Sequence, residues 1–381
     1  MAAGPDANAI CDAADDDSRC QLPEYAVMIQ RTDDLRIREV KELDSPEQIH
    51  REFPISERAA ETVFLSRHAI QRILKGEDDR VLAVIGPCSI HDVDAAHEYA
   101  ERLASLNADL NRDLLIVMRV YFEKPRTVVG WKGLINDPNL DGSFEINLGL
   151  RLARKLLLDI NELGVPAGTE FLDLVTGQYF ADLISWGAIG ARTVESQGHR
   201  ELASGLSCPV GFKNATNGTL KVAIDAIRAA GHPHSFLSPT KQGRTAIFST
   251  QGNPDTHVIL RGGSLPNYDA GHVEAAAAEM RDAGLAPCLM IDLSHGNSNK
   301  AHRQQLVAGR DVARQIAAGD RRIMGVMIEG HLVEGRQDVG MGRDLVYGQS
   351  ITDACLGWSD GESLLREIAA AVAQRRLAVN G

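Results

Sequence analysis

The stretch EAAAAEMRDAGLAPCLMIDLSHG, residues 274–296, contains the pattern that decides the fold of this chain. An alanine-rich helical segment ends at Gly284, an apolar run follows, and polar side chains stand at the far end of that run. Glycine stops a helix here because it accepts a left-handed backbone at little cost. The apolar run is continuous rather than alternating, which is typical of a strand in a parallel sheet that is covered on both faces or closed into a barrel.

The same order of helix, glycine and apolar strand recurs at residues 151–171, 177–196, 223–239 and 313–330. Candidate strands lie near residues 81–88, 114–120, 165–171, 188–193, 209–214, 234–238, 256–261, 288–294 and 323–329. With no GxGxxG turn after the first strand, this α/β pattern favours a (β/α)8 TIM barrel with one insertion over a doubly wound sheet. The stretch TAIFSTQGNPDTHVIL, residues 245–260, predicts that the insertion is an antiparallel hairpin near the sixth strand.

The predicted catalytic barrel spans residues 81–375 and is preceded by two segments of different character. Residues 1–24 are rich in Asp and poor in apolar residues, so we expect a disordered acidic tail; they also lack the pattern of a secretory signal. Residues 25–80 contain SERAAETVFLSRHAIQRILKG, an amphipathic helix with a Ser start signal and a Gly stop. We expect this N-terminal extension to pack on the barrel floor and against a neighbouring subunit.

Composition narrows the possible functions. Hydrophobic residues make up 44% and charged residues 24% of the 381 positions, as in an ordinary globular enzyme. The formal net charge of −12 argues against nucleic-acid binding, and the apolar runs are too short to span a membrane. The six cysteines show no framework spacing, which indicates a cytoplasmic location.

Six cations follow the predicted strands, at the end of the barrel where such enzymes place their chemistry. They are Arg119, Lys124, Arg126, Arg192, Lys213 and Arg261. A salt bridge would explain any one of them, but clustered cations repel one another unless an anion binds among them. The planar guanidinium group of Arg can donate two parallel hydrogen bonds to one carboxylate or phosphate group. The sequence therefore predicts a site for two phosphorylated substrates, or for one phosphate and one phosphate–carboxylate compound.

A second group at the strand ends comprises Cys88, His295, Glu329 and Asp353. One thiol, one imidazole and two carboxylates are suitable ligands for Mn²⁺, Fe²⁺, Co²⁺ or Zn²⁺, although their wide spacing is weak support by itself. Taken singly, Cys88 could be a small buried residue and Asp353 a helix N-cap. Cys355 follows Asp353 by two positions, so we expect it near Cys88, where oxidation of a low-pKa thiol could join the two.

Several blocks of the sequence resemble the type I 3-deoxy-D-arabino-heptulosonate 7-phosphate (DAHP) synthases, nearest to the phenylalanine-sensitive kind. In order between about residues 27 and 375, they are VIGPCSIHD, MRVYFEKPRTVVGWKGLINDP, GAIGARTVESQ, PVGFKNATNG, VILRGG, IDLSHGNSNK and SITDACLGW. The resemblance implies a metal-dependent aldol-type transferase that forms a homotetramer or homodimer. Its reaction would condense phosphoenolpyruvate with erythrose 4-phosphate and water to DAHP and phosphate, the first step of the shikimate pathway to the aromatic amino acids.

The resemblance also implies roles for individual residues. The divalent metal would be held by Cys88, His295, Glu329 and Asp353. Phosphoenolpyruvate would be held by Arg119, Lys124, Arg192, Lys213 and Arg261, and erythrose 4-phosphate by Arg126 and Thr127. We expect Lys124, His295 and Cys88 to take part in catalysis, with Lys124 placed to protonate or stabilise the developing alkoxide.

A feedback site for an aromatic amino acid is implied as well. The positions that match it are Asp33, Asp34, Asp173, Gln178, Ser207, Phe236 and Ser238. The chain departs from the family pattern at Leu174, Gly177 and Phe248, which changes the shape of the pocket. Which aromatic amino acid binds is therefore open.

Two alternative functions compete with this interpretation. One is another phosphoenolpyruvate-dependent synthase, such as the enzyme that makes the eight-carbon 3-deoxy sugar acid phosphate. The segment KPRT, residues 124–127, favours the four-carbon aldose, because the eight-carbon enzymes usually show different residues there. The other is a non-catalytic regulatory paralogue that binds an aromatic effector or a partner, and the intact set of site residues argues against it.

Overall fold

Eight parallel strands close a barrel in the computed structural model, which describes residues 32–126, 128–340 and 344–379. The described strands are β1 (Val81–Gly86), β2 (Leu114–Arg119), β3 (Ala167–Glu170), β4 (Trp186–Ile189), β5 (Val210–Lys213), β6 (Ser235–Pro239), β7 (Thr245–Ser249), β8 (Thr256–Leu260), β9 (Leu289–Asp292), β10 (Ile323–Glu329), β11 (Val333–Arg336) and β12 (Gln349–Ser350). Around the barrel their order is β1-β10-β9-β8-β5-β4-β3-β2, which confirms the predicted (β/α)8 fold.

Two helices precede the first barrel strand, and the others follow barrel strands. The described helices are α1 (Pro46–Glu52), α2 (Glu57–Leu74), α3 (Val93–Leu110), α4 (Ile146–Glu162), α5 (Gly177–Phe180), α6 (Gln197–Gly205), α7 (Lys221–Ala230), α8 (Ala270–Asp282), α9 (Gln304–Ala317) and α10 (Trp358–Val379), with 3-10 turns at Ala181–Leu183 and His295–Ser298. Within the described residues, every helix is too short or too polar to cross a membrane.

The described residues 32–42 belong to a different unit from the one that contains the barrel. They include a turn in which the carbonyl oxygen of Asp34 accepts from the backbone N–H of Ile37. The predicted acidic tail, residues 1–24, lies outside the described residues.

The strands are continuous apolar runs because both of their faces are buried. Along β1, Leu82 and Val84 join a cluster inside the barrel, whereas Val81, Ala83 and Ile85 join the larger core between the strands and the helices. Alternate side chains of a strand therefore point into two different apolar environments, rather than one into an apolar core and the next into solvent.

The amphipathic helix predicted before the first strand is confirmed as α2. Ser56 caps it by accepting a backbone N–H of the first turn, and Gly76 follows its end with φ at 71°. Ile70 and Ile73 of α2 belong to the cluster inside the barrel, so this helix packs across the N-terminal ends of the strands. Contact of residues 25–80 with a neighbouring subunit stays a prediction.

The inserted hairpin precedes the sixth barrel strand, but its two strands are not the predicted ones. β6 pairs antiparallel with β7, from Ser235 opposite Ser249 to Pro239 opposite Thr245. The prediction that residues 245–260 form the hairpin was wrong, because β8 pairs in parallel with β5 and β9 instead. The burial patterns explain the difference: β8 is almost fully buried, whereas β7 alternates between exposed and half-buried side chains, as a strand with one solvated face does.

A buried histidine inside the barrel is held by an indole. Trp186 Nε1 donates to His257 Nε2 at 2.9 Å, and His257 Nδ1 lies 3.1 Å from the carbonyl oxygen of Val258. Since an indole N–H only donates, Nε2 is the acceptor and Nδ1 carries the proton. Burial lowers the pKa of His257 to about 4, so the folded protein holds a neutral imidazole at neutral pH.

We expect His257 to make the free energy of unfolding fall in mild acid. Its pKa is about 4 in the folded protein and near 6.5 in an unfolded chain, so the unfolded state binds the extra proton first as the pH falls through this window. The complete effect is about 3 kcal/mol. The urea midpoint of His257→Gln, which has no titrating group, should therefore fall less between pH 7 and pH 4.5 than that of the wild type.

The exposed His232 offers a matched control for this experiment. His232→Gln should keep the wild-type dependence of the urea midpoint on pH. If the urea midpoint depended equally on pH in the wild type and in both variants, this result would contradict the lowered pKa of His257.

Candidate active site

Most of the predicted substrate and metal residues surround one cavity of 220 Å³ at the C-terminal ends of the barrel strands. Its wall includes Cys88, Lys124, Arg126, Arg192, Lys213, Arg261, His295 and Asp353. Two further predicted residues, Arg119 and Glu329, are buried behind this wall. Thr127 lies outside the described residues. The C-terminal ends of the parallel strands thus bring the predicted cations and the predicted metal ligands to one place. These two sets of residues were derived separately from the sequence.

Arg119 ends β2 and is fully buried, in contact with Glu329 at the end of β10. One guanidinium nitrogen lies 3.1 Å from Glu329 Oε1, and the guanidinium carbon is 3.9 Å from the centroid of the Tyr121 ring. Burial alone would raise the pKa of Glu329, but its neighbours His295, Arg119 and Lys124 bring it below its ordinary value. Arg119 therefore acts from beneath the cavity, where it holds Glu329 as a carboxylate.

Three of the four predicted metal ligands form a tight group. One ligand atom each from Cys88, Glu329 and Asp353 lies within 4.8 Å of the others. The fourth, His295, presents Nε2 3.8 Å from Glu329 Oε1. A thiol, an imidazole and two carboxylates around one point fit a divalent cation of the Mn²⁺, Fe²⁺, Co²⁺ or Zn²⁺ type. Asp353 caps no helix, because α10 begins at Trp358.

Cys88 and Cys355 bring two buried thiols together beside the metal group. Cys88 and Cys355 are neighbours as predicted, since the backbone N–H of Cys88 donates to the Cys355 sulfur at 3.4 Å. Burial, and then the negative charge of Glu329, raises the pKa of Cys88, and burial raises that of Cys355 too. The Cys88 thiolate thus depends on a bound cation, which displaces the thiol proton. Oxidative joining of the two thiols stays a prediction.

Lys124 and Arg126 place two cations at different depths of the cavity. Lys124 Nζ lies 5.4 Å from the centroid of the Tyr121 ring, while the Arg126 side chain is exposed at the rim and donates to the Trp131 carbonyl oxygen at 2.7 Å. Burial works to lower the pKa of Lys124, but its neighbours Cys88 and Glu329 leave it raised. Lys124 therefore carries a positive charge at neutral pH.

Arg192 and Arg261 add positive charge to the wall without a carboxylate within ion-pair distance in the described part of the chain. Burial, together with the positive Arg192, lowers the pKa of Arg261. Two carboxylates, of Glu170 and Asp353, face this wall of cations. Because the positive charges outnumber the negative ones, the cavity is suited to polyanions.

The structure adds residues to which the sequence analysis gave no role. Lys300 and Thr352 line the cavity, and Asp292 lies beneath it with Oδ2 2.9 Å from His295 Nδ1. His295 itself has φ at 53°, a left-handed conformation that costs a non-glycine residue about 1 kcal/mol or more. The sequence did contain a signal that could have identified Asp292. A carboxylate inside the apolar run MIDL is costly to bury unless a buried partner is present.

Close backbone contact fixes the loops that carry Arg261 and His295. The backbone N–H of Gly296 donates to the Arg261 carbonyl oxygen at 3.0 Å, and a Cβ on Gly262 would lie 2.5 Å from the Gly296 carbonyl carbon. Gly262 also has φ at 73°. No side chain fits there, so glycine is required for the two loops to meet.

A second cavity of 680 Å³ lies between the β6–β7 hairpin and the α5 and α6 segments. Four of the predicted effector residues line it, namely Gln178, Ser207, Phe236 and Ser238, and so do the three departures Leu174, Gly177 and Phe248. The rings of Phe236 and Phe248 stack with centroids 6.3 Å apart, and Ser238 Oγ is buried without a hydrogen-bond partner in the described residues. The cavity thus offers aromatic surface and an unsatisfied hydroxyl.

The remaining predicted effector residues are placed elsewhere. Asp173 is not part of the cavity wall; its carboxylate accepts the backbone N–H groups of Val175 and Thr176 and so closes a turn. Asp33 and Asp34 belong to the separate unit at residues 32–42.

Glu123 connects the two cavities through side-chain contacts. It directly precedes Lys124, and its Oε2 accepts from Thr176 Oγ1 at 3.1 Å, one position before Gly177 in the wall of the second cavity. Burial, with a smaller contribution from Asp173, raises the pKa of Glu123 to about 7. The loop of the first cavity and the wall of the second are therefore in direct contact.

Comparison with known proteins gives consistent matches. The sequence model of the DAHP synthetase I family matches residues 52–366. A Phe-sensitive phospho-2-dehydro-3-deoxyheptonate aldolase from Escherichia coli (strain K12) is 62% identical over 349 residues, which cover 92% of this chain and 100% of that protein. A Trp-sensitive one from Escherichia coli O157:H7 is 56% identical over 347 residues, which cover 91% and 100%. The structure of phospho-2-dehydro-3-deoxyheptonate aldolase from Francisella tularensis SCHU S4 gives a TM-score of 0.88 at 53% identity, covering 89% of this chain and 99% of that chain.

We expect Cys88→Ala to bind Mn²⁺ more than about tenfold more weakly than the wild type, since changes even to residues behind the ligands often cost that much. The measurement is titration with Mn²⁺ followed by the signal of the free ion in electron paramagnetic resonance. Cys288→Ala is the control, because this half-buried thiol lines a different cavity. Equal Mn²⁺ affinity in the two variants would remove Cys88 from the ligand set.

Proposed function

We infer that this chain, which belongs to the DAHP synthetase I family, is a 3-deoxy-7-phosphoheptulonate synthase. It condenses phosphoenolpyruvate with erythrose 4-phosphate and water to DAHP and inorganic phosphate, the first step of the shikimate pathway. The observation that carries this function is the cavity in which unpaired cations adjoin a thiol–carboxylate–imidazole donor group. A divalent metal and two polyanionic substrates match those two components.

The positions of the cations support separate binding positions for the two substrates. Arg192, Lys213 and Arg261 line the inner wall and would bind the carboxylate and phosphate of phosphoenolpyruvate. Arg126, at the exposed rim, would bind the phosphate of erythrose 4-phosphate, and Thr127 follows it in sequence. Arg119 contributes its charge from beneath.

Cys88, His295, Glu329 and Asp353 would hold the metal, which when bound supplies Lewis-acid polarisation of a carbonyl oxygen. The methylene carbon of phosphoenolpyruvate forms the new bond to the aldehyde carbon, and the aldehyde oxygen gains negative charge. Lys124, charged and directed into the cavity, would give that oxygen its proton. Water then adds to the electron-poor carbon, and phosphate leaves with cleavage of its bond to carbon.

The first test of this function is phosphate release. Release should require both phosphoenolpyruvate and erythrose 4-phosphate and should stop when a chelator removes the metal. Release with arabinose 5-phosphate instead would favour the eight-carbon synthase. No release with either aldose would favour the regulatory paralogue.

In the same assay we expect Arg126→Ala to raise the KM for erythrose 4-phosphate by about 10- to 100-fold, the cost of one or two charge-assisted hydrogen bonds. The KM for phosphoenolpyruvate should change little. Arg310→Ala, an exposed change on α9, should leave both constants unchanged. A rise confined to the KM for phosphoenolpyruvate would contradict the assignment.

We propose that the 680 Å³ cavity binds an aromatic amino acid that inhibits the reaction. Similarity to relatives named Phe-sensitive and Trp-sensitive supports an aromatic effector. The stacked rings of Phe236 and Phe248 supply aromatic surface, and Ser238 supplies a free hydroxyl. The contact between Glu123 and Thr176 gives the bound effector a route to the loop of Lys124.

Removal of the buried hydroxyl tests the effector site. We expect Ser238→Ala to weaken inhibition by phenylalanine about five- to tenfold, the value of one hydrogen bond, with kcat unchanged. Ser235→Ala, the same change on the exposed part of the same strand, is the control and should keep wild-type inhibition. Loss of kcat in Ser238→Ala, or identical inhibition in both variants, would argue against this pocket.

We propose a homodimer or homotetramer in the cytoplasm. The hairpin supports an assembled state, since Leu237 and Ile247 are opposite each other and 72% and 74% exposed. Large apolar side chains exposed side by side are typical of an interface between proteins.

A further inference from the structure

Asp292 ends β9 as a fully buried carboxylate between two parts of the active site. Its Oδ1 accepts from the backbone N–H of Ser294 at 3.0 Å and from Ser294 Oγ at 2.7 Å. Its Oδ2 lies 3.0 Å from Lys213 Nζ and 2.9 Å from His295 Nδ1. One oxygen atom therefore faces both a cation of the substrate wall and an imidazole of the metal group.

The carboxylate is charged despite its burial. A buried carboxylate keeps its charge beside a cation, and the ammonium of Lys213 supplies one 3.0 Å from Oδ2. Neither contact of Oδ2 has the alignment of a hydrogen bond, so the attraction is chiefly between charges. In an interior of low dielectric constant, such an attraction is much stronger than at a surface.

The two neighbours of Oδ2 compete for the same negative charge. An anionic ligand that contacts Lys213 takes up part of the lysine's positive charge. Asp292 is then free to polarise the Nδ1–H of His295, directly from Oδ2 and through Ser294 Oγ, which lies 2.6 Å from Nδ1 and donates to Oδ1. A polarised Nδ1–H makes Nε2 a better donor to a cation, as in other carboxylate–histidine–metal arrangements. Binding of the anion and binding of the cation should therefore favour each other, and thermodynamic linkage makes this effect reciprocal.

We propose that Asp292 is a positioning residue that couples the two halves of the site, so that phosphoenolpyruvate at Lys213 and a divalent cation at His295 strengthen each other's binding. The identity of the two ligands rests on the proposed function, whereas the coupling rests on the three side chains. Asp292 contacts neither ligand and acts through its neighbours.

The test is a binding experiment that does not depend on turnover. The Kd for Mn²⁺ is measured by calorimetry on the full chain, with and without saturating phosphoenolpyruvate. In the wild type we expect phosphoenolpyruvate to lower this Kd at least about fivefold, the lower end of ordinary coupling between sites. In Asp292→Asn, which keeps the shape but loses the charge, each ligand should still bind and the ratio of the two Kd values should fall to about one.

Asp78→Asn is the matched control, because this largely buried aspartate also pairs with a cation, Arg80, but precedes β1 at the other end of the barrel. It should keep the wild-type ratio. A wild-type ratio in Asp292→Asn would overturn the proposal, as would a reduced ratio in Asp78→Asn. Failure of the wild type to bind phosphoenolpyruvate at all would refute the proposed function instead, and the two failures are thus distinct.

A second variant covers the case in which Asp292→Asn does not fold, as judged by circular dichroism. Ser294→Ala removes the hydroxyl that donates to Oδ1 and lies 2.6 Å from His295 Nδ1, while leaving the charge of Asp292 in place. We expect it to lower the ratio without abolishing it. An unchanged ratio in folded Ser294→Ala would overturn the proposal.

Discussion

Buried charge needs a partner, and this requirement organises the C-terminal end of the barrel. The parallel strands deliver Arg119, Lys213, Asp292 and Glu329 to one enclosed region, where an unpaired charge would cost several kcal/mol. The structure meets the cost with two ion pairs, each between strands separated by one other strand: Arg119 with Glu329 at 3.1 Å and Lys213 with Asp292 at 3.0 Å. Arg192 and Arg261 of the cavity wall have no such partner in the described part of the chain, so their charge is left for a bound anion to balance.

The sequence could predict the barrel and the location of the site because both depend on order along the chain. Continuous apolar runs after a helix and a glycine specify parallel strands, and parallel strands place their far ends together. The sequence could not predict which side chains meet: Arg119 was expected in the cavity wall, yet it lies beneath it against Glu329. Pairing of this kind depends on register around the closed barrel, which no local pattern specifies.

The hairpin shows the same limit on a smaller scale. Gly252 and Asn253 have the composition of a hairpin turn, and apolar β-branched runs stand on both sides of them. The competing signal was burial: Thr256–Leu260 lacks a solvated face and so belongs to the barrel, whereas Thr245–Ser249 alternates. Periodicity over five residues was the better guide to strand pairing than the turn residues between two runs.

An acidic chain with a cationic cavity is physically consistent because the two charges act over different ranges. At physiological ionic strength the screening length in water is about 8 Å, so surface carboxylates farther away than this contribute little to the field in the cavity. Lys124 and Arg261 lie in a wall that excludes much of the solvent, where charges are screened far less. The formal net charge of −12 therefore describes the surface, and the affinity for polyanions is decided by a few side chains whose positions the barrel fixes. Asp292 and Glu329 set how much of that positive charge remains available, which makes the buried acids as important for anion binding as the cations themselves.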